Sequence, residues 1–120
     1  MKNIMFILVA ILAWVSIAVG QKATSVYTLS EVTSHVGEYA TVRGEVSSVF
    51  ESKKGNYFLN MGGQYPHQLF SAVIFSSSSS RFTDIEGLEG KTVEVTGKIK
   101  YYQGKPEIIL NSASQIKVVQ

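Results

Sequence analysis

No cysteine occurs anywhere in the sequence. That excludes a disulfide framework, a thiol nucleophile and thiolate metal ligation. Histidine is nearly as scarce. His35 and His67 stand alone, with neither a His-x-x-x-His pattern nor a paired-acid spacing beside them, so no metal site is spelled out. The run Ser76 to Ser80 is rich in hydroxyls but lacks the strand, Gly-x-Ser-x-Gly and helix setting that sharpens a serine into a nucleophile. Catalysis, metals and cofactors therefore find no foothold, and a non-enzymatic binding role is expected. A dominant charge is missing too: 11 basic residues stand against 9 acidic ones, a net +2. That near-neutrality argues against the strong basic field on which sequence-blind coating of nucleic acid depends.

The one long hydrophobic run lies at the start. After Met1-Lys2-Asn3 the chain is apolar from Ile4 to Val19, interrupted at Ser16, and then reads Ala18-Val19-Gly20. An early lysine, an apolar stretch and a small-x-small ending describe a secretory signal, with cleavage expected between Gly20 and Gln21. The alternative is an uncleaved single-span anchor, although the run falls short of the roughly 20 residues a span prefers. Cleavage would leave no integral membrane span and a periplasmic or secreted domain of about 100 residues, the size of one compact core. Loss of Lys2 takes the net charge to about +1. The organisation expected is a signal at 1–20, a polar leader and short helix at 21–36, and a folded domain at 37–120. In the second segment Leu29, Val32 and Val36 carry helical spacing and Gly37 would end it.

The most informative feature is an internal match. Gly37-Glu38-Tyr39-Ala40-Thr41-Val42-Arg43-Gly44-Glu45-Val46 and Gly90-Lys91-Thr92-Val93-Glu94-Val95-Thr96-Gly97-Lys98-Ile99 share two glycines and three apolar slots. Strict alternation means strands with one buried face. A glycine on that face relieves crowding where a strand coils around a small barrel. Between the two lie a strand at Asn56–Met61, entered through the turn Ser52–Gly55, and an almost wholly apolar strand at Leu69–Phe75. The stretch 76–89 reads as a connection, with a solvated serine loop and a helical turn whose Phe82, Ile85 and Leu88 plug the barrel end. Pro106–Leu110 and a short closing strand at 115–119 follow. The expected fold is all-β: a small five-stranded Greek-key barrel with a short helix before strand 1 and a helical connection between strands 3 and 4.

Four phrases carry a family resemblance: Val42-Arg43-Gly44-Glu45-Val46, Tyr57-Phe58-Leu59-Asn60, the run from Leu88 to Gly97, and Gly104-Lys105-Pro106-Glu107-Ile108-Ile109-Leu110. Over about residues 37–119 the chain resembles an OB-fold nucleic-acid-binding domain. Its nearest varieties are the anticodon-binding type of tRNA synthetases and the OB modules of secreted bacterial nucleases. The synthetase type usually carries an Arg-Asp pair after its second strand. Here that place reads Asn60-Met61-Gly62-Gly63, so anticodon readout is not implied.

An OB barrel binds across strands 2 and 3, flanked by the loops joining strands 1–2 and 4–5. Those loops are rich in lysine here. The candidate nucleic-acid contacts are Lys53, Lys54, Tyr57, Phe58, Asn60, Lys98, Lys100, Tyr102 and Lys105, with lysines on phosphates and aromatic faces on unpaired bases. Phe58 and Asn60 alternate with Tyr57, Leu59 and Met61, and the latter set forms the more continuous apolar face. Tyr101 shares parity with Ile99 and is expected in the core. Tyr65, His67 and Gln68 form a second candidate, a ligand loop stiffened by Pro66. The expected partner is single-stranded nucleic acid. The alternative is an envelope protein, a saccharide or a small ligand bound in envelope maintenance or stress response.

Overall fold

The computed structural model describes residues 24–119. The expected export segment and its cleavage point lie outside them. Eight strands run in the order β1 (Val26–Thr28), β2 (Tyr39–Glu51), β3 (Tyr57–Met61), β4 (Phe70–Ile74), β5 (Thr92–Lys98), β6 (Lys100–Tyr102), β7 (Lys105–Ile109) and β8 (Ile116–Val118). They form one sheet with the path β6-β7-β4-β3-β2-β5-β8, and β1 lies beside β2. The β4–β7 and β1–β2 pairs are parallel; the others are antiparallel. The fold is all-β and OB-like.

Strand β2 organises the sheet because both its edges are used. Tyr39–Glu45 pairs with β5, and Val46–Glu51 pairs with β3. The alternation expected from sequence holds: Ala40, Val42, Val46, Val93, Val95 and Ile99 are fully buried. The two matched segments pair with each other about a centre at Val42 opposite Val95. Their ends are equivalent as well. Gly37 N–H donates to Ile99 O at 2.7 Å, and Gly90 N–H donates to Val46 O at 2.8 Å. Both glycines have positive φ, +98° and +85°, which side chains other than glycine rarely adopt. The buried-face glycines sit diagonally, Gly44 opposite Val93 and Gly97 opposite Ala40. A Cβ on Gly97 would stand 2.7 Å from Ile108 Cγ2, so β7 can approach β5 this closely only over glycine.

The sheet curls until β5 and β7 meet without sharing a ladder. A side chain spans the gap. Gln115 Nε2 donates to Thr96 O on β5 at 3.0 Å and to Ile109 O on β7 at 3.1 Å. Its Oε1 accepts from Asn111 N–H at 2.7 Å and Ser112 N–H at 3.0 Å. Ser112 also caps the 3-10 turn Ala113–Gln115, so the expected closing strand begins one residue late, at Ile116.

Several expectations change. The sheet has two short strands, β1 and β6, beyond those expected from the sequence. The leader is not wholly irregular: Val26–Thr28 adds in parallel to β2 along Thr41–Arg43. The helix anticipated before the first long strand is a single 3-10 turn, Val32–His35, as suits a segment rich in threonine and serine. His35 is occupied there. Its ring lies 3.8 Å from that of Tyr27 and nearly parallel, and its Nδ1 sits 2.7 Å from Glu38 Oε2. Tyr27 OH donates to Glu38 Oε1 at 2.7 Å. These bonds, His35 first, hold the Glu38 carboxyl below the ordinary carboxylate range. The connection between β4 and β5 holds two 3-10 turns, Ser76–Arg81 and Glu86–Leu88, where one helical turn was expected. Its serine run is thus ordered, with Ser78 buried, while Ile85 joins the core with Phe82 and Leu88 against it. Tyr101 is not core but 55% exposed. The ladder breaks at Ile99, and β6 leaves β5 to pair with β7, so the parity of β5 does not carry over.

Replacing Gly97 by alanine should cost about 1–3 kcal/mol through overpacking against Ile108. Gln115→Leu, which strands two carbonyls, should cost a similar amount, about 1–3 kcal/mol. Urea unfolding followed by circular dichroism measures both, and a neutral Gln115→Leu would show that the bridge does not hold the gap.

Candidate ligand-binding groove

The outer face of β3 and β4 forms the floor of a groove of about 850 Å³. What faces it is set by one irregularity in β2. Continuing the alternation beyond Val46 would turn residues 48 and 50 inward. The register shifts between Val46 and Ser48, an extra residue reverses the phase, and Val49 packs on the core instead. Ser48 and Phe50 then face the groove.

Two lateral rows of register neighbours result. One is polar: Ser48 opposite Asn60, Asn60 opposite Ser71, and Ser71 opposite Glu107. Asn60 and Ser71 are buried, and their polar atoms are paired. Ser71 Oγ donates to Asn60 Oδ1 at 2.8 Å, and Asn60 Nδ2 donates to Ser48 Oγ at 3.4 Å. The other row is aromatic on the β2–β3 side, with Phe50 opposite Phe58 and ring centroids 6.2 Å apart. Phe50 is 56% exposed, which is high for a phenylalanine in a long strand.

The walls come from two loops. Between β3 and β4 the chain contributes Gln64, Tyr65, Pro66 and Gln68; the β6–β7 hairpin contributes Tyr102, Gln103 and Lys105. Gly62 and Gly63 let the first loop turn, with φ of +75° and +134°. Gly63 N–H donates to Ser47 Oγ at 3.1 Å, which ties the loop to the irregular point of β2. Lys105 Nζ donates to Gln68 O at 2.9 Å and links the two walls. Tyr65 and Tyr102 project from them, 76% and 59% exposed. Gln68 is buried, and its Oε1 has no partner among the described residues. Burial pushes the Glu107 carboxyl above its ordinary range, an effect that Lys100, its register neighbour, partly offsets.

Of the residues singled out from sequence, the structure brings together Phe58, Asn60, Tyr65, Gln68, Tyr102 and Lys105. It leaves the others outside the lining. Lys53 and Lys54 are exposed in the β2–β3 turn. Tyr57 packs on the core and borders a separate pocket of about 210 Å³ with Phe82 and Ile85. His67 is exposed beside the groove-lining Gln68. Lys98 ends β5 opposite Tyr39, and Lys100 lies opposite Glu107. Sequence reasoning missed Ser48, Phe50, Ser71 and Glu107 on the sheet face, and Gln64 and Gln103 in the walls. Ser71 did leave a trace, as the one hydroxyl inside an otherwise apolar strand. Among the described residues no cluster of three or more His, Asp or Glu side chains could hold a metal, and no helix is long and apolar enough to cross a membrane.

No protein-family model and no curated protein matches the chain. Solved structures do. A Leishmania major protein described as an aspartyl-tRNA synthetase superposes with a TM-score of 0.57 at 14% identity, over 83% of this chain and 21% of its own. The aspartyl-tRNA synthetase of Entamoeba histolytica gives 0.54 at 16%, over 81% and 22%. An OB domain from Methanosarcina mazei gives 0.57 at 11%, over 82% and 87%. The chain thus spans about a fifth of the synthetases' length and nearly all of the isolated domain. At such identities the likeness establishes the fold: the chain is an OB fold.

The raised Glu107 makes a prediction about pH. A carboxyl whose folded pKa is raised costs stability once ionised, so stability falls as pH climbs from the ordinary 4.5 through the folded value. Glu107→Gln should therefore raise the melting temperature at neutral pH, and the gain over wild type should vanish well below pH 4.5. Thermal melts across pH measure that difference, in which the unchanged Glu38 cancels.

Proposed function

We propose that this protein is an exported, non-catalytic OB module whose groove binds single-stranded nucleic acid, mainly by stacking bases. The observation that carries this is the ring of aromatic side chains, with Phe50, Tyr65 and Tyr102 exposed and Phe58 half-buried, around a polar floor on the face where OB folds take ligands. Two of the similar structures are tRNA synthetases by description, which supports the same class of partner. The lysines carry less than their number suggested. Lys105 is committed to Gln68 O, the lining also holds the acidic Glu107, and Lys53, Lys54, Lys98 and Lys100 lie outside it. Phosphate neutralisation is then a supplement at the ends of the groove. The N-terminal apolar run supports export, to the periplasm or beyond.

Anisotropy titration of a short labelled oligonucleotide, at low and moderate salt, tests this. Weak binding is expected, with a salt slope equivalent to about one or two phosphates. Phe50→Ala and Phe58→Ala should each cost about 1–3 kcal/mol of binding. Lys53→Glu combined with Lys54→Glu should weaken binding chiefly at low salt. No binding at either salt overturns the reading.

The groove's balance of one lysine against one glutamate favours a second reading, in which an exported module holds an envelope protein, a saccharide or a small uncharged ligand. A partner captured from an envelope extract that survives nuclease and high salt would support it.

A further inference from the structure

Resting on the nucleic-acid reading, we infer that Glu107 is a specificity-determining residue of the groove, whose carboxylate opposes an anionic strand and couples its binding to the uptake of a proton. Its placement carries the inference. Glu107 alternates along β7 with the buried Pro106 and Ile108, so it faces away from the core and lines the groove. It belongs to one lateral row, Ser48-Asn60-Ser71-Glu107-Lys100, in which each residue is the register neighbour of the next. On the β4 side, Ser71 gives its hydroxyl proton to Asn60 Oδ1. On the β6 side Lys100 stands opposite, yet among the described residues no ion pair joins the two. On β7 itself Lys105 shares the face, but its ammonium donates to Gln68 O. The wall loops add only uncharged side chains to the lining beside that lysine. The groove floor thus holds a half-buried acid that neither a hydrogen-bond donor nor a close cation compensates.

A single strand seated in the groove brings phosphates that stay ionised wherever a carboxyl titrates. It acts on Glu107 in three ways of one sign. It covers the carboxyl and withdraws water from it. It sets further negative charge nearby. It also competes for Lys100, whose ammonium partly offsets the burial in the free protein. Each effect favours the protonated acid, so the bound protein keeps this proton to higher pH than the free one. The free carboxyl already titrates above its ordinary 4.5, because burial penalises its charge. By linkage, affinity climbs as pH falls through the bound value and levels off below the free value. Each further unit by which the strand raises the carboxyl is worth about a tenfold gain. Near neutrality the acid therefore selects against polyanions, and protonation lifts that selection.

The test titrates rhodamine-labelled oligo-dT by anisotropy at fixed ionic strength, from about pH 8 down to about pH 4.5. Thymine and the phosphodiesters keep their charge across that range, so the probe itself takes up no proton. Wild type should bind about tenfold more tightly at the acid end. Glu107→Gln, neutral at every pH, should bind about tenfold more tightly than wild type near neutrality and gain little on acidification. His67, exposed beside the groove, would also favour an anion once protonated, but its share of the gain would remain in Glu107→Gln. Carboxyl-carbon NMR of wild type reads the same coupling without a substitution: the Glu107 midpoint should move up when oligo-dT saturates the groove. A circular dichroism melt checks that Glu107→Gln is folded; if it is not, the NMR titration decides. Equal pH gains in wild type and variant, or a Glu107 midpoint that oligo-dT leaves unmoved, overturn this inference and leave the nucleic-acid reading standing. Failure of oligo-dT to bind at any pH overturns both.

Discussion

The structure depends on one strand being paired along both edges without carrying a single phase throughout. β2 gives its first half to β5 and its second half to β3, and the register shift near Ser47 separates the two duties. Before that point Arg43 and Glu45, which face away from Val42, are exposed, and Thr41 bonds to Thr96 of β5. Beyond it the inward and outward sets exchange. One inserted residue thus decides that Val49 joins the core and that Ser48 and Phe50 face the groove. The neighbouring loop depends on the same point, since Ser47 Oγ accepts from Gly63 N–H. The bend in the barrel and the position of a groove wall therefore share a cause.

Closure follows a second economy. A barrel this small cannot bring every strand pair into ladder register, and the β5–β7 approach is managed by a missing Cβ at Gly97 and a bridging amide at Gln115. Because the bridge satisfies carbonyls on both strands, the seam carries no exposed row of unpaired backbone groups there. On the far side, β7 pairs with β4 and sets Glu107 beside Ser71. Closing the barrel and placing an acid in the groove are consequences of the same strand.

Much of the frame was legible in the sequence because alternation and glycine position report directly on burial. The match of 37–46 with 90–99 named the core positions of β2 and β5, and Leu59 and Met61 went inward as their apolar face implied. Phe58 and Asn60 consequently faced the groove. What was not legible came from events that break periodicity. Nothing in Val46-Ser47-Ser48 announces an extra residue, so Phe50 was missed. Nothing in Gly97-Lys98-Ile99-Lys100 announces that the chain changes partners, so Tyr101 was assigned to the core. Turn signals placed Lys53 and Lys54 in the Ser52–Gly55 turn, but only the ladder sets Glu107 beside Ser71 on the groove floor.

The pairing of the two matched segments about Val42 and Val95 divides the molecule into halves of different freedom. In the first, each position answers to a counterpart related by approximate two-fold symmetry, as Gly37 does to Gly90 and Val46 to Ile99. The groove-facing ends of β2, β3, β4 and β7 have no such counterpart. Side chains there, such as Phe50, Asn60 and Glu107, can be exchanged without disturbing the Val42–Val95 centre, because separated sites contribute to stability independently. The barrel is in that sense a symmetric mount carrying an asymmetric face, and a lineage could re-tool the face for another ligand while the mount stayed as it is.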